Sequence, residues 1–569
     1  MRFRAVVGSL LLAAVVLAGC AQPRTPVNSP ANGETRSSSG DPGRTLAVIM
    51  RVEPLTMLEG SVDRSAVHKP LFAATLGAWS LQETPFPILA EAVPQLNTDT
   101  WKVFPDGRME TTYRLKPGLT WHDGTPLTAD DVAFTRRVNV ARFEWGLDQG
   151  IAEYREMEEI VAPDPRTVLI RWRQPYTEAA APEFIPYPRH ILEAPLDQGS
   201  ADAFDGHPYW SNGWIGAGPY KVDRWERGSF IEGVAFDCFA LGAPKIKRVR
   251  LSWNNDPNVT LTRLMAGDGD IALDGSMRFQ QASVLRERWT SPNDATIMLN
   301  PTSLRYMQYQ SRTEYVNPKF MHDLRVRRAL MHSLDRANLA DTMLEDQSMV
   351  ADTVPPRTAP YYQEVDRVLT KYPFDQRRAD QLLGEVGFTK GSDSVYASPA
   401  LGRFALEVRG VSGGAEEQDT TIVADALRTF GIETSIQLLP SSRRASDDMV
   451  KATFPGLTLN NNTLQRGLGL EKWHSANIGH PGNNWTGTNR TGLTDPEYNR
   501  LHELWSTTLD RNQANAHLAN MMKLLSESVA LFPLYYNFQV VAHTAAVRGP
   551  QPITPDSSRY GNIHEWEWR

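Results

Sequence analysis

The sequence has little cysteine, none of the common metal-binding motifs and no excess of basic charge. Of its 569 residues only Cys20 and Cys238 are cysteines, which excludes a disulfide framework and a cysteine-based zinc site. It holds no H-E-x-x-H or C-x-x-C motif and its 12 histidines are scattered, so we expect no built-in metal and no other cofactor. The formal net charge of −7 gives no electrostatic footprint for nucleic acid.

A long apolar run is also missing. The run Ala5–Ala18 is shorter than the ~20 residues that a membrane-spanning helix needs. It follows two arginines and ends in the letters LAGC, which are similar to a lipoprotein processing site. We therefore expect a signal peptide over residues 1–19 and a lipid on the thiol of Cys20 that anchors the protein. An ordinary secretory signal, with no role for Cys20, is the alternative.

The chain after Cys20 begins with a segment of low apolar content. Residues 20–43 are rich in Pro, Ser, Asn and Gly, so they cannot offset their ordering entropy and are predicted to form a flexible tether. The rest of the chain is too long for a single hydrophobic core, which predicts two or three lobes.

The stretch Tyr113–Val138 predicts a strand, two turns and a capped helix. Apolar and polar residues alternate up to Lys116, and a Pro-Gly pair and an Asp-Gly pair follow as turn signals. Thr128 lies three residues before Asp131, the spacing at which a hydroxyl and a first-turn acid cap a helix. A helix is therefore expected from about Ala129 towards Val140.

This stretch resembles the signature of extracellular solute-binding protein family 5, the peptide and nickel group. The matching residues are Leu115, Gly118, Trp121, His122, Asp123, Gly124, Pro126, Leu127, Thr128, Ala129, Asp131 and Val132. We interpret His122 and Asp123 as a pair that builds a turn rather than a catalytic dyad. The segment Gly216–Val222 is similar to a second family motif, and it lacks the layout of a phosphate-binding loop.

The resemblance implies an α/β fold of the periplasmic-binding-protein type: two lobes (type II, cluster C), mixed sheets and an inserted subdomain. Lobe I is expected to be discontinuous and to comprise residues 44–77, 205–301 and 537–569. Residues 78–204 are expected to form the inserted subdomain, and residues 302–536 lobe II.

One enzyme motif occurs, at Gly410–Gly414, which fits G-x-S-x-G and follows a predicted strand. A serine hydrolase would use Ser412, with His474 or His517 as its base. We expect the next helix to begin only at Asp419, which argues against a nucleophile elbow because that turn enters its helix at once. In the family this loop faces the cleft, so Ser412 and Gly413 are expected to bind the ligand instead.

Further candidate ligand residues follow from the resemblance. Glu53 comes after the first predicted strand, which in the family leads to a segment facing the ligand; a solvated loop acid is the alternative. Peptide-binding relatives carry an aspartate for the peptide amine in the segment that matches Phe454–Asn462, and here no acid occurs before Glu471. A buried ammonium without a carboxylate partner is costly.

The same segment offers neutral polar groups, with aromatic residues nearby. They suit carbohydrate rings or a peptide without a free amine. As the alternative, the asparagines form a turn and the tryptophans lie in the core. The candidate residues are Asn460, Asn461, Asn462, Trp473 and Trp485.

These observations predict a monomeric, lipid-anchored receptor of an ABC importer rather than an enzyme. It is expected in the cell envelope, on the outer face of the cytoplasmic membrane or in the periplasm. It would take an oligopeptide, or an oligosaccharide given the missing aspartate, and deliver it to membrane permease subunits. The alternatives are a secreted serine hydrolase, an oligosaccharide receptor of the same fold, and a nickel-chelate receptor that uses His474 and His480.

Overall fold

A computed structural model describes most of the chain after the predicted tether. The part from Pro42 to Arg569 forms one compact unit. The predicted signal peptide, the lipidation of Cys20 and almost all of the predicted tether lie outside the described residues. Within those residues we find no helix that is both long enough and apolar enough to cross a membrane. The described ranges are 43–58, 68–80, 82–145, 152–291, 295–440, 442–443, 447–463, 469–552 and 561–569.

The strands form one large mixed sheet and several smaller sheets, which confirms the predicted α/β class with mixed sheets. In chain order they are β1 Thr45–Met50, β2 Gly77–Trp79, β3 Pro85–Pro87, β4 Trp101–Val103, β5 Met109–Arg114, β6 Met157–Asp164, β7 Thr167–Trp172, β8 Tyr220–Glu226, β9 Phe230–Ala235, β10 Arg248–Trp253, β11 Ile271–Ala272, β12 Ala295–Tyr309, β13 Thr389–Lys390, β14 Tyr396–Ser398, β15 Gly402–Arg403, β16 Ala405–Val411, β17 Glu433–Leu439, β18 Leu457–Thr463, β19 Leu531–Thr544, β20 Val547–Arg548 and β21 Glu567–Trp568.

The helices pack around these sheets. They are α1 Lys69–Phe72, α2 Ala129–Glu144, α3 Ala152–Glu156, α4 Arg189–Asp197, α5 Ala201–Asp205, α6 Pro257–Ala266, α7 Phe279–Arg288, α8 Leu324–Ser333, α9 Arg336–Leu344, α10 Tyr362–Asp366, α11 Gln376–Val386, α12 Gly414–Phe430, α13 Asp448–Ala452, α14 Pro496–Thr507 and α15 Arg511–Glu527.

The large sheet has ten strands in the order β17-β16-β18-β12-β19-β11-β1-β10-β9-β8. The long strands β12 and β19 pair antiparallel through its centre, with a register shift between Pro301 and Ser303. On one side of that shift β18 pairs with the second half of β12. On the other side β11 pairs with the end of β19. The two halves of the sheet are therefore joined by one continuous strand pair.

The strand directions bring two sets of strand ends towards each other. Strand β1 is parallel to β10 and β11, and β16 is parallel to β17 and β18. Strand β11, and with it β1 and β10, runs in the same direction as β12. Strand β18, and with it β16 and β17, runs in the opposite direction. The two sets of strands therefore approach the register shift in β12 from opposite sides. The carboxyl ends of β1, β10 and β11 thus face those of β16 and β18. Open α/β sheets bind their ligands at such carboxyl ends.

The signature stretch folds as its sequence predicts. Strand β5 ends at Arg114, Gly118 and Gly124 take the positive φ values that tight turns require, and α2 begins at Ala129. The backbone amide of Thr128 donates to a carboxylate oxygen of Asp131 at 2.9 Å, which fixes the start of the helix. Helix α2 runs on to Glu144, beyond the expected end near Val140.

The strand predicted before the G-x-S-x-G motif is confirmed as β16, and it is followed by α12 and by β17, which pairs parallel to β16. The predicted start of the helix at Asp419 is wrong, because α12 begins at Gly414. Gly413 has a φ of +89°, and its amide donates to the carboxylate of Glu417 at 2.6 Å. Acids in the first turn stabilise the positive end of a helix, so this cap replaces the expected one. Asp419 is instead completely buried.

Candidate binding site

His122 in the signature stretch is a structural residue. It is buried, its Nδ1 accepts the amide of Gly216 at 3.2 Å, and its Nε2 lies 3.0 Å from the carbonyl oxygen of Gly218. Burial lowers the pKa of His122 to about 4, which keeps the ring neutral. Asp123 pairs with His190 at 2.8 Å and accepts the amide of Thr125 at 2.9 Å. The two family motifs are thus joined to each other, and His122 and Asp123 do not act as a dyad.

The structure brings Ser412, Gly413 and the Asn460–Asn462 segment to the same edge of the sheet. Ser412 and Gly413 follow β16, and the asparagines end β18, which is parallel to β16. Asn461 pairs with Arg305 of β12, so its side chain lies on the same face of the sheet as that arginine. This edge, where strand ends from the two halves face each other, is our candidate binding site.

The hydroxyl of Ser412 donates to the carbonyl oxygen of Leu439 at 3.3 Å. His474, one of the two candidate bases, packs against His502 with ring centroids 5.2 Å apart. The early start of α12 removes one argument against a nucleophile elbow at this serine. A hydroxyl that donates to a carbonyl oxygen is nevertheless not activated by a base, so this geometry favours binding over nucleophilic attack.

The three asparagines lie in a strand, so the alternative that they form a turn is wrong. The side-chain amide of Asn460 donates to Gln308 at 3.1 Å, and the side-chain oxygen of Asn462 accepts the ammonium of Lys472. Asn461 is exposed, whereas Asn460 and Asn462 are buried on the opposite face. Of the three, Asn461 therefore has the side chain that a solute can reach at this edge.

The two tryptophans lie in different surroundings. Trp473 is completely buried and lies with Tyr306 in a hydrophobic cluster, with ring centroids 6.4 Å apart. Trp485 is half-buried and contacts Tyr315 and Arg312, which follow the far end of β12. The alternative that the tryptophans lie in the core thus describes Trp473. Its ring faces are covered by protein in this structure.

Glu53 lies in the segment after β1, as expected from the first strand. Its carboxylate accepts the backbone amide of Gly228 at 2.8 Å. The side chain is partly exposed and holds the loop between β8 and β9. Glu53 thus has a structural contact, and its role towards a solute stays a prediction.

A buried ionic cluster beside the candidate site was missed in the sequence. Arg305 contacts Asp419 at 3.0 Å and Glu416 at 3.7 Å, and the hydroxyl of Tyr535 donates to Asp419 at 2.7 Å. Burial raises the pKa of Asp419 to about 6, although Arg305 and Tyr535 oppose that rise. The available signal was an arginine inside the apolar β12, because such a charge must find a partner. The cluster holds the first turns of α12 against the sheet.

A mixed sheet with facing strand ends is typical of the periplasmic-binding-protein fold, and open α/β sheets bind solutes at such ends. The family model "Bacterial extracellular solute-binding proteins, family 5 Middle" matches residues 91–464. The chain belongs to this family, as the signature at Leu115–Val132 suggested. It is a solute-binding protein of the ABC-importer class, whose members act outside the cytoplasmic membrane.

Curated relatives support this assignment. The chain is 23% identical over 443 residues to "Oligopeptide-binding protein AppA" from Bacillus subtilis, covering 76% of this chain and 75% of that protein. It is 25% identical over 331 residues to "Dipeptide-binding protein" from Escherichia coli, covering 54% of this chain and 58% of that protein.

Solved structures share the fold. An oligopeptide-binding protein from Thermus thermophilus, complexed with a pentapeptide, superposes with a TM-score of 0.73 at 21% identity, covering 92% of this chain and 96% of that one. NikZ from Campylobacter jejuni, in complex with Ni(L-His), superposes with a TM-score of 0.72 at 19% identity, covering 92% and 99%. These likenesses confirm the predicted periplasmic-binding-protein-like fold.

Proposed function

We propose that this protein captures a peptide-like or other polar solute between two lobes and delivers it to the permease of an ABC importer. The main support for this proposal is the geometry of the large sheet, in which the carboxyl ends of β1, β10 and β11 face those of β16 and β18 at the register shift in β12. Ser412, Gly413 and Asn461 lie at that edge. The hydroxyl of Ser412 and the exposed side-chain amide of Asn461 are neutral hydrogen-bonding groups, whereas the amide of Gly413 is held by Glu417. We further propose that the chain is a monomer anchored through a lipid on Cys20.

The proposed lobes are those that the resemblance implied, and the strand register supports one of their boundaries. Lobe I comprises residues 44–77, 205–301 and 537–569 with the inserted subdomain 78–204, and lobe II comprises residues 302–536. Their boundary falls inside β12, at the shift between Pro301 and Ser303. A pair of continuous strands between two lobes can bend as a hinge, and a solute that touches both lobes favours the closed form.

A peptide is the first candidate solute. Both curated relatives named above are peptide-binding proteins by name. A carbohydrate is supported less than the sequence suggested, because the burial of Trp473 removes one of the two aromatic faces. A nickel chelate, which brings its own metal ligands, remains an alternative solute, as in the NikZ complex with Ni(L-His).

A thermal-shift screen of the purified protein tests the proposed function. The screen uses separate pools of tetrapeptides, neutral oligosaccharides and nickel-histidine complexes. A solute that binds only the native state raises the melting temperature in a concentration-dependent manner. We expect the peptide pool to do so. A hydrolytic turnover of any pool, with no shift, would contradict the proposal.

A further inference from the structure

We infer that Arg51 and Arg278 form a binding site for an anionic group of the solute, at the carboxyl ends of β1 and β11. This inference rests on the proposed function and adds the chemical class of the ligand. The group is a carboxylate, from either a peptide or an acidic sugar.

The backbone brings the two arginines together. Arg51 follows the last residue of β1 directly, and Arg278 precedes the first residue of α7. The segment between β11 and α7 is fastened to the end of β1, because the amide of Leu273 and the hydroxyl of Ser276 both donate to the carbonyl oxygen of Ile49, at 2.9 and 3.0 Å. Both arginines therefore lie at the edge where the strand ends of the two halves face each other.

No acid contacts Arg51 or Arg278 among the residues that the structure describes. Among the described residues, neither side chain forms an ion pair or a hydrogen bond, although both are partly buried. Burial lowers the pKa of Arg278, and the positive charges of Arg305 and Arg51 add to this effect. The negative charge of Asp256 opposes this effect. The carboxylate of Asp256 also accepts the amide of Asn258 at 2.9 Å, at the start of α6.

Arg305, whose charge also acts on Arg278, differs from Arg51 and Arg278 because it forms ion pairs. Arg305 is buried deeper, and it is paired with Asp419 and Glu416. Within the described part of the chain, the protein therefore supplies acids in contact with Arg305 and none in contact with Arg51 or Arg278. A partly desolvated guanidinium without a partner is unfavourable, and a planar anion such as a carboxylate matches its fork of donors.

The two sides of the edge thus differ in charge. Strand ends β16 and β18 present the neutral Ser412 and Asn461, next to the acids Glu416 and Glu417 in the first turn of α12, while β1 and the start of α7 present two cations. A solute that bridges them would place neutral polar groups on the first side and a carboxylate on the second. This arrangement also fits the lack of an acid for an ammonium in β18.

Isothermal titration calorimetry on the whole purified protein tests the inference. The probes are a tetrapeptide pool with free C-terminal carboxylates, the same pool as C-terminal amides, and an oligogalacturonate pool with its carboxyl-reduced, neutral form. The variants are Arg278→Gln, Arg51→Gln and Arg278→Lys. Arg288→Gln is the matched control, because Arg288 is exposed at the other end of α7 and its loss changes the net charge equally.

We expect the wild type to bind one acidic pool, and Arg278→Gln to raise its Kd by about tenfold or more. Arg278→Lys should keep part of the affinity, and Arg288→Gln all of it. The neutral form of the same pool should bind weakly to every variant. Whether the peptide or the galacturonate pool responds identifies the source of the carboxylate.

The inference would be overturned if the wild type bound the acidic and neutral pools equally and if Arg278→Gln had the same affinity as Arg288→Gln. That result would leave the proposed function intact. No saturable heat from any pool would overturn both. If Arg278→Gln does not fold, Arg51→Gln and the salt dependence of wild-type binding decide the matter. An affinity for the acidic pool that stays constant between ~0.05 M and ~0.5 M NaCl would then contradict the anion site.

Discussion

His122 makes the stability of this protein depend on pH in a direction that can be calculated. Its ring accepts one amide and faces one carbonyl oxygen in a buried position, and its pKa falls from 6.5 to about 4. The unfolded chain therefore binds a proton at a higher pH than the folded chain does. Stability from this residue is fully present above the unfolded pKa and is lost as the pH falls towards the folded value.

The magnitude follows from the two pKa values. Between about pH 7.5 and about pH 5, the loss from His122 amounts to about 2 kcal/mol in the free energy of unfolding. Replacement by glutamine removes the titrating group. His122→Gln should lower stability by about 1–3 kcal/mol at neutral pH, because the amide of Gly216 or the carbonyl of Gly218 loses its partner.

Urea unfolding followed by tryptophan fluorescence, at both pH values, checks this prediction. The wild type should lose about 2 kcal/mol more than His122→Gln on acidification, so the two stabilities should converge. The exposed His480 provides the control, and His480→Gln should follow the wild type at both pH values. Parallel pH dependence in wild type and His122→Gln would refute the assignment of His122 as a buried neutral residue.

Three further predictions concern anchoring, chemistry and the candidate site. Cys20→Ser should release the protein from the membrane fraction, and sedimentation with membranes after a salt wash would contradict the lipid anchor. Ser412→Ala should weaken solute binding by no more than about 1.5 kcal/mol, and covalent labelling of Ser412 by a fluorophosphonate would show a hydrolase instead. Asn461→Ala should weaken solute binding and change the free energy of unfolding by less than about 0.5 kcal/mol. Trp473→Ala should lower the free energy of unfolding by about 3–5 kcal/mol, because Trp473 is completely buried. Calorimetry measures the binding of both variants, and chemical denaturation measures their stability.

Local features of the fold were predictable because neighbouring residues determine them. The cap at Thr128 and Asp131 needs only their spacing, and the structure shows it. The start of α12 was missed, since its cap depends on the positive φ of Gly413 and on an acid four residues later. A serine, threonine or aspartate cap is easier to find in a sequence than a glycine whose amide is held by a glutamate.

Long-range features could not be read from the chain. Trp473 is buried in a hydrophobic cluster that includes Tyr306 on the distant strand β12, and no local pattern reports that contact. The pairing of Arg305 with Asp419 likewise depends on how α12 lies on the sheet. The signature motif implied the fold through resemblance, but the meeting of strand ends at the shift in β12 required the strand register.

Hydrogen exchange measured by mass spectrometry, with and without the solute pool that raises the melting temperature, tests the central claim most directly. The account predicts slower exchange in segments from both sides of the candidate site, at residues 51–55 and 276–280 and at residues 410–416 and 460–463. Slower exchange on one side only, or confined to the segment around Trp485, would contradict a solute bound where the strand ends of the two halves meet.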